Sequence, residues 1–352
     1  MGASSVGAPP REGRARRVGG RPAALRGAGL LVAFGILVVV ALLSLAVGAK
    51  QIPLATVVQA LVHGGTSSDA IVIRDLRVPR TLLGLGVGAA LGLAGAIMQA
   101  LTRNPLADPG LLGVNAGASL AVVFSMAFLG MQSINAYVWM ALAGAAGATL
   151  LVYVIGATGR GGATPVRLAL SGTAITAVFT GVITAILLLD PRAFDQFRFW
   201  RVGALSGRDL HTVVEVLPFL AVGTLLALLL ARPLNAIALG EDTAQSLGAH
   251  VGRTRTTAML AVTLLCGAST AAAGPIWFVG LAVPHMARAI TGPDQRWILP
   301  YALVLSPVLL LAADVLGRVL ARPGELQVGI VTAFLGVPVF IALIRRRKPA
   351  QL

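Results

Sequence analysis

The sequence predicts an all-α, polytopic membrane protein with about ten transmembrane helices. Three observations predict it. Hydrophobic residues make up 57% of the 352 and charged residues only 12%, a balance far from that of soluble domains. Apolar runs close to the roughly 17–25 residues needed to cross a bilayer recur along the whole chain. Basic residues crowd the two ends and the short segments between runs.

In chain order the runs lie near Leu30 to Val47, Thr81 to Leu101, Val114 to Leu129, Val138 to Ile155 and Leu168 to Leu189. They continue near Val213 to Leu230, Thr257 to Ala273, Ile276 to Ile290, Leu299 to Leu316 and Gly329 to Ile344. The eighth is short and carries Pro284, a break better tolerated where neighbouring helices enclose it. Arg11, Arg14, Arg16, Arg17, Arg21 and Arg26 precede the first run, and Arg345, Arg346, Arg347 and Lys348 follow the last. Positive ends favour the cytoplasm, so both termini are expected inside and the number of spans even. Threading the chain that way puts 18 of the 28 Lys and Arg residues on cytoplasmic segments and 10 on the other side.

The domain organisation follows. Residues 1–27 read as a disordered basic cytoplasmic tail, rich in Gly, Pro, Ser and Arg. Residues 28–348 read as one transmembrane domain, with a cytoplasmic loop at 232–256. The net charge of +15 is scattered through short loops and both ends, which suits anionic lipid better than nucleic acid. The small-residue stretch "AVGA" (Ala46 to Ala49) resembles a signal-peptide cleavage site, but the run before it is long for that role. Gly84, Gly88 and Gly92 recur every fourth residue in the second run. They present one smooth face for close helix packing, so this span belongs inside the bundle.

Catalytic chemistry is mostly missing. There is no G-x-x-x-x-G-K-[ST] phosphate loop, and Lys50 and Lys348 are the only lysines, so ATP is not hydrolysed by that route. The four histidines, His63, His211, His250 and His285, form no H-E-x-x-H pair. Cys266 is the single cysteine, which leaves no intrachain disulfide and no multi-cysteine metal site. No catalytic residue and no metal ligand is assigned. "GASL" (Gly117 to Leu120) superficially matches an intramembrane serine nucleophile, with Ser119 attacking and His285 as base, yet such residues co-occur readily by chance in small-residue helices.

Charges at membrane depth are costly, about 2.5–3.5 kcal/mol on insertion scales, and therefore informative. Asp314 lies four residues before Arg318 on one helical face, which reads as an intrahelical ion pair, with a proton relay in an exporter as the rival reading. Arg77 and Arg80 stand three apart before the second span, and Pro79 fits the first turn of its helix. Their guanidinium groups suit either carboxylates of a partner or lipid headgroups. In "ALGEDTAQSLG", Leu239 and Gly240 lead into Glu241 and Asp242 at a helix start, where the backbone dipole favours acids, and Gly248 supplies the stop. Ala244 and Leu247, with Val251 if the helix continued, are expected to share a small apolar face. An acid-headed helix suits a protein partner better than anionic lipid.

These residues resemble the FecCD family, the permease subunits of ABC importers for iron-siderophores, haem and cobalamin, over about Leu30 to Lys348. The resemblance rests on "RVPR" (Arg77 to Arg80), "MQALTRNPLADPGLLGVNAGA" (Met98 to Ala118), "LNAIALGEDTAQSLG" (Leu234 to Gly248), "AGPIWFVGLAVPHMAR" (Ala273 to Arg288), "ADVLGR" (Ala313 to Arg318) and "GELQVGIVTAFLGVPVF" (Gly324 to Phe340). It implies the type II ABC importer permease architecture: two permease subunits, identical or related, around a central pathway. It also implies two cytoplasmic ATPases that use ATP and Mg, no cofactor bound by this chain, and an extracytoplasmic binding protein. By resemblance, Leu239, Gly240, Glu241, Asp242, Ala244, Leu247 and Gly248 couple to the ATPase, and Arg77, Arg80 and Arg318 receive the binding protein's glutamates. The implied activity is ferric siderophore import across a bacterial plasma membrane by alternating access, with cobalamin or haem as the alternative cargo. Gln327, where the family often has Pro, and Trp277, where it has a small residue, depart from the pattern. The stretch "FRFWRVGALSGRD" (Phe197 to Asp209), read as a loop, resembles the siderophore members.

Overall fold

The computed structural model describes residues 23–48, 50–131, 134–158 and 164–346, and among them it is all-helical. The chain runs through α1 (Ala23–Ala46), α2 (Leu54–Val62), α3 (Ser68–Ile71), a π-helical turn (Val72–Arg77) and α4 (Val78–Leu101). A 3-10 turn (Pro109–Leu112) leads to α5 (Val114–Phe128), α6 (Ile134–Ala157), α7 (Pro165–Leu189), α8 (Pro191–Arg201) and α9 (Leu210–Leu229). Then follow α10 (Ala231–Ala238), α11 (Glu241–Ser246), α12 (Val251–Ala273), α13 (Val279–Thr291), α14 (Gln295–Leu320) and α15 (Val328–Arg346).

Among the described residues, seven helical segments are long and apolar enough to cross a membrane: α1, the continuous stretch Ser68–Leu101 that ends in α4, α6, α7, α9, α12 and α14. The runs expected at the third and tenth positions are shorter apolar helices, α5 and α15. The eighth run needs correction. Only Val279–Thr291 is helical, 13 residues or about 20 Å, against about 30 Å of hydrocarbon. Gly274 ends α12 with φ 76°, Pro275 follows without an N–H to continue a helix, and Phe278 sits in the left-handed region with φ 70°. Irregular backbone at that depth is tolerated because protein encloses it, and Ile276 and Val279 are both buried.

At the N-terminus the helix starts before the expected end of the tail. Residues 23–27 belong to α1, and the Tyr301 hydroxyl of α14 donates to the Arg26 carbonyl at 2.7 Å. Most of the expected tail, and Arg347 and Lys348, lie outside the described residues. Phe197–Arg201 close α8 rather than forming a loop. Asp190 caps that helix by accepting from the backbone N–H groups of Arg192 and Ala193 at 2.9 and 3.2 Å.

The core is organised around α4, which packs against α14, α12, α13 and α9 and is buried along most of its length. Its small residues set the approach distance. A Cβ added at Gly84 would meet Leu311 Cδ2 at 2.4 Å, at Gly88 the Pro307 Cα at 2.6 Å, and at Gly92 the Ser306 Oγ at 1.9 Å. All three neighbours belong to α14, so the four-residue glycine spacing is the seam between these two helices.

Candidate functional site

The candidate residues gather at two places, at opposite ends of α4 and α14. At one end, the C-terminal carbonyls of α1 have no partners within their own helix and need donors. Arginines supply them. Arg77 Nη1 donates to Leu45 O at 2.6 Å and its Nη2 to Lys50 O; Arg318 Nη1 donates to Ser44 O and Val47 O at 2.9 and 3.0 Å; Arg322 donates to Gly48 O at 2.9 Å. Ser44 Oγ takes a further bond from Arg318 Nη2 at 2.9 Å and lies 2.9 Å from Thr81 Oγ1 of α4.

Arg80 is held differently. Its Nε and Nη2 grip Asp314 at 2.8 to 3.2 Å, and its Nη1 reaches Glu325 at 2.7 Å. Asp314 is fully buried and also pairs with Arg318 at 3.0 Å, so one carboxylate is shared by two guanidinium groups. The ion pair with Arg318, expected from the four-residue spacing, is present, and a second partner 234 residues away in sequence joins it. Arg77 and Arg80 do not reach in parallel for one acceptor: the first turns to α1 and the second to α14 and Glu325.

A cavity of about 520 Å³ opens beside this cluster. Lys50, Arg77, Arg80, Arg208 and Arg318 line it, against the acids Asp75, Asp209 and Glu325, so its charge is net positive and suits an acidic visitor. Sequence reasoning missed Glu325, Arg208 and Arg322. Glu325 stood inside the quoted "GELQVG" motif, but nothing local marked it as the partner of Arg80.

At the other end, α10 and α11 fold against the start of α12. Gly240, with φ 112°, and Gly248, with φ 82°, bracket the six residues of α11 in backbone conformations that suit glycine. Ala244 is fully buried on Ile237 and Val251. Leu247 does not share that face. The helix ends at Ser246, one residue early, and Leu247 is 67% exposed, as Leu239 is at 64%. Glu241 is tied to Arg255 at the foot of α12 and to Arg103 just beyond α4, at 3.6 Å for the latter, whereas Asp242 is exposed.

This turn region also grips α14. Asn235 of α10 donates to Asp294 Oδ1 at 2.6 Å and accepts from the Gln295 N–H at 2.8 Å, and Asp294 caps α14. The Asp294 carboxyl loses solvent by burial, but bonds from Arg296 and Asn235 outweigh that and hold it below the usual carboxylate range. Thus α4 and α14, each about 36–39 Å long, both touch the α10–α11 segment at one end and the arginine cluster at the other.

Of the remaining candidates, Ser119 lines a small cavity of about 180 Å³ with Asn115, Thr176, Thr180 and Trp277, and His285 is not among its lining residues. Trp277 and Thr176 also line a larger space of about 520 Å³ that reaches Asp108 and Phe278. Gln327 lines a further cavity together with Arg208. Among the described residues no group of three His, Cys, Asp or Glu side chains is placed to hold a metal ion.

A bundle of apolar helices, two of them linking a cationic cavity to a short helix flanked by exposed leucines, has the build of a multi-pass membrane protein. The FecCD transport family model matches residues 36–346, and the chain belongs to that family. It is 51% identical over 313 residues to the ferric enterobactin transport system permease protein FepD of Escherichia coli, covering 89% of this chain and 93% of that one. The probable siderophore transport system permease protein YfiZ of Bacillus subtilis is 40% identical, covering 82% and 87%. The hemin transport system permease protein HmuU of Yersinia pestis is 36% identical, covering 89% and 94%. The fold matches a solved inward-facing conformation of a metal-chelate type ABC transporter with a TM-score of 0.81 at 24% identity, covering 91% of this chain and all of that one.

Proposed function

We propose that this chain is a permease subunit of an ATP-driven importer of ferric siderophores. The observation that carries the substrate class is the 51% identity, over nearly the full length of both chains, to a ferric enterobactin permease. In this reading both termini are cytoplasmic in a bacterial plasma membrane, the arginine cluster faces outward and α11 faces the cytoplasm. The energy comes from a separate ATPase pair, since this chain carries no phosphate loop.

The ATPase grips the exposed Leu239 and Leu247 and the acidic head at Glu241 and Asp242. Its movement reaches the spans through Glu241 to Arg103 and Arg255, and through Asn235 to the cap of α14. At the far ends of α4 and α14 an acidic binding protein docks on the cavity lined by Arg77, Arg80 and Arg318. Two permease subunits, copies or relatives, enclose the pathway, and ATP binding and hydrolysis switch which side is open. Arg77→Glu together with Arg80→Glu is expected to abolish binding-protein-stimulated ATP hydrolysis by the assembled transporter. Unchanged stimulation would remove the docking assignment.

A further inference from the structure

The face between α6 and α12 takes no part in docking or coupling, yet it is not smooth. A groove of about 310 Å³ lies there. Thr149 of α6 and Met259 of α12 form its buried floor, and Leu150 and Leu260 stand 64% and 51% exposed at its rims. The wall is apolar for a specific reason. The Thr149, Thr256 and Thr263 hydroxyls each donate to a carbonyl one turn back in their own helix, at 3.0, 3.1 and 2.7 Å, which leaves their methyl groups as the available surface.

The groove also has a direction. Further along the same seam a Cβ built at Gly267 of α12 would stand 3.2 Å from Ala145 Cβ of α6, so the two helices run antiparallel. Tyr153 and Thr256 therefore lie at the end of the bundle that carries α11. From Thr263 to Thr256 the groove covers about 10 Å of helix, and α12 begins at Val251, little more than a turn beyond. That length fits within one leaflet, about 15 Å of hydrocarbon.

At this end the chemistry changes. Tyr153 lines the groove, and its hydroxyl has no hydrogen-bond partner among the described residues. Arg253 stands three residues before Thr256 on the same helical face, exposed and with no acid paired to it among those residues, whereas its neighbour Arg255 is taken by Glu241. A tyrosine at a span's end keeps its ring in hydrocarbon and its hydroxyl at the water side, and an arginine reaches to the same level. The occupant that fits is a hydrocarbon chain beneath an anionic, hydrogen-bond-accepting head. A protein helix, about 10–12 Å across, is too broad for this space, and a soluble anion would gain nothing from the apolar wall.

We infer that the groove between α6 and α12 binds one acyl chain of an anionic phospholipid, whose phosphate meets Arg253 and the Tyr153 hydroxyl. The bound lipid braces the foot of α12 two residues from Arg255, the partner of Glu241 in α11.

The test uses the purified full-length permease in nanodiscs of phosphatidylcholine. The probe is phosphatidylglycerol with a photoreactive diazirine in one acyl chain, and labelled peptides are located by mass spectrometry. Label is expected to concentrate in segments 146–153 and 256–263. Unlabelled phosphatidylglycerol is expected to displace the probe at least about fivefold more effectively than phosphatidylcholine of the same chains. Arg253→Gln is expected to weaken labelling about fivefold with an unchanged thermal midpoint, and Arg253→Lys to restore most of it. Ala146→Trp, at an exposed position in the groove, fills it without removing a buried group and is expected to abolish labelling. Label spread evenly over other exposed apolar helices such as α7, equal displacement by the two lipids, or undiminished labelling of both Arg253→Gln and Ala146→Trp would overturn the inference. Displacement by glycerol 3-phosphate alone would also overturn it, since that headgroup carries no chain. Labelling is read without ATP or ferric chelate, so its outcome stands apart from the importer reading.

Discussion

Arg80 holds Asp314 through three hydrogen bonds of 2.8 to 3.2 Å, and so fastens the first turn of α4 to the last turns of α14, with the Asp314 carboxylate itself fully buried. Removing the carboxylate charge would leave Arg80 and Arg318 sharing a buried site without their common counter-ion. Asp314→Asn is therefore expected to lower stability by about 3–5 kcal/mol, read as a large fall in the thermal midpoint of the purified protein. Adding Arg80→Met to that variant is expected to cost little more, because the two residues act as one unit. A proton relay at Asp314 would instead preserve the midpoint and alter only the pH dependence of transport.

The seam between α4 and α14 gives a second expectation. At Gly88 a Cβ would press on the Pro307 backbone, which cannot rotate away, whereas at Gly181 of α7 nothing lies within 4 Å. Gly88→Ala is expected to destabilise by about 1–3 kcal/mol through overpacking, and Gly181→Ala to leave the thermal midpoint unchanged or slightly raised. Equal effects at the two sites would show that the seam is not close-packed.

Exposure separates coupling from folding in α11. Leu247→Asp, at a 67% exposed position, is expected to keep the stability of the permease and lose its ATPase partner in co-purification. Ala244→Asp, at a fully buried one, is expected to lose both. If Leu247→Asp retained the ATPase and normal coupled turnover, the coupling surface would lie elsewhere.

Glu325 occupies one edge of Arg80 while remaining 36% exposed at its side chain, so it competes with any incoming carboxylate. Glu325→Gln is expected to tighten binding-protein docking several-fold, about 1 kcal/mol, with a steeper fall as salt is raised. Surface plasmon resonance across a salt series reads both, and an unchanged or weaker affinity would show that Glu325 does not compete.

What was legible in the sequence follows the range over which each signal acts. Helical spacing carries information over three or four residues, so the Asp314 and Arg318 pair and the Gly84, Gly88 and Gly92 face were readable. The hold of Arg80 on Asp314 spans 234 residues and left no local trace. Leu247 was placed on the wrong face because the periodicity was run past Ser246, where Gly248 had already ended the helix. The apolar run from Ile276 suggested a full span, but Gly274 and Pro275 delay the helix to Val279, and hydropathy is blind to that. Arg208 looked like any loop arginine, since only the fold encloses it.

The central claim is that this chain is a gate moved by a separate engine through the Glu241–Ser246 helix. Its most direct test is ATP-driven uptake of a ferric siderophore into proteoliposomes, with and without the ATPase and with Ala244→Pro in the permease. The expected result is uptake only in the complete assembly, and none with Ala244→Pro even while the ATPase still hydrolyses ATP. Accumulation of the chelate against its gradient by the permease alone would contradict the account.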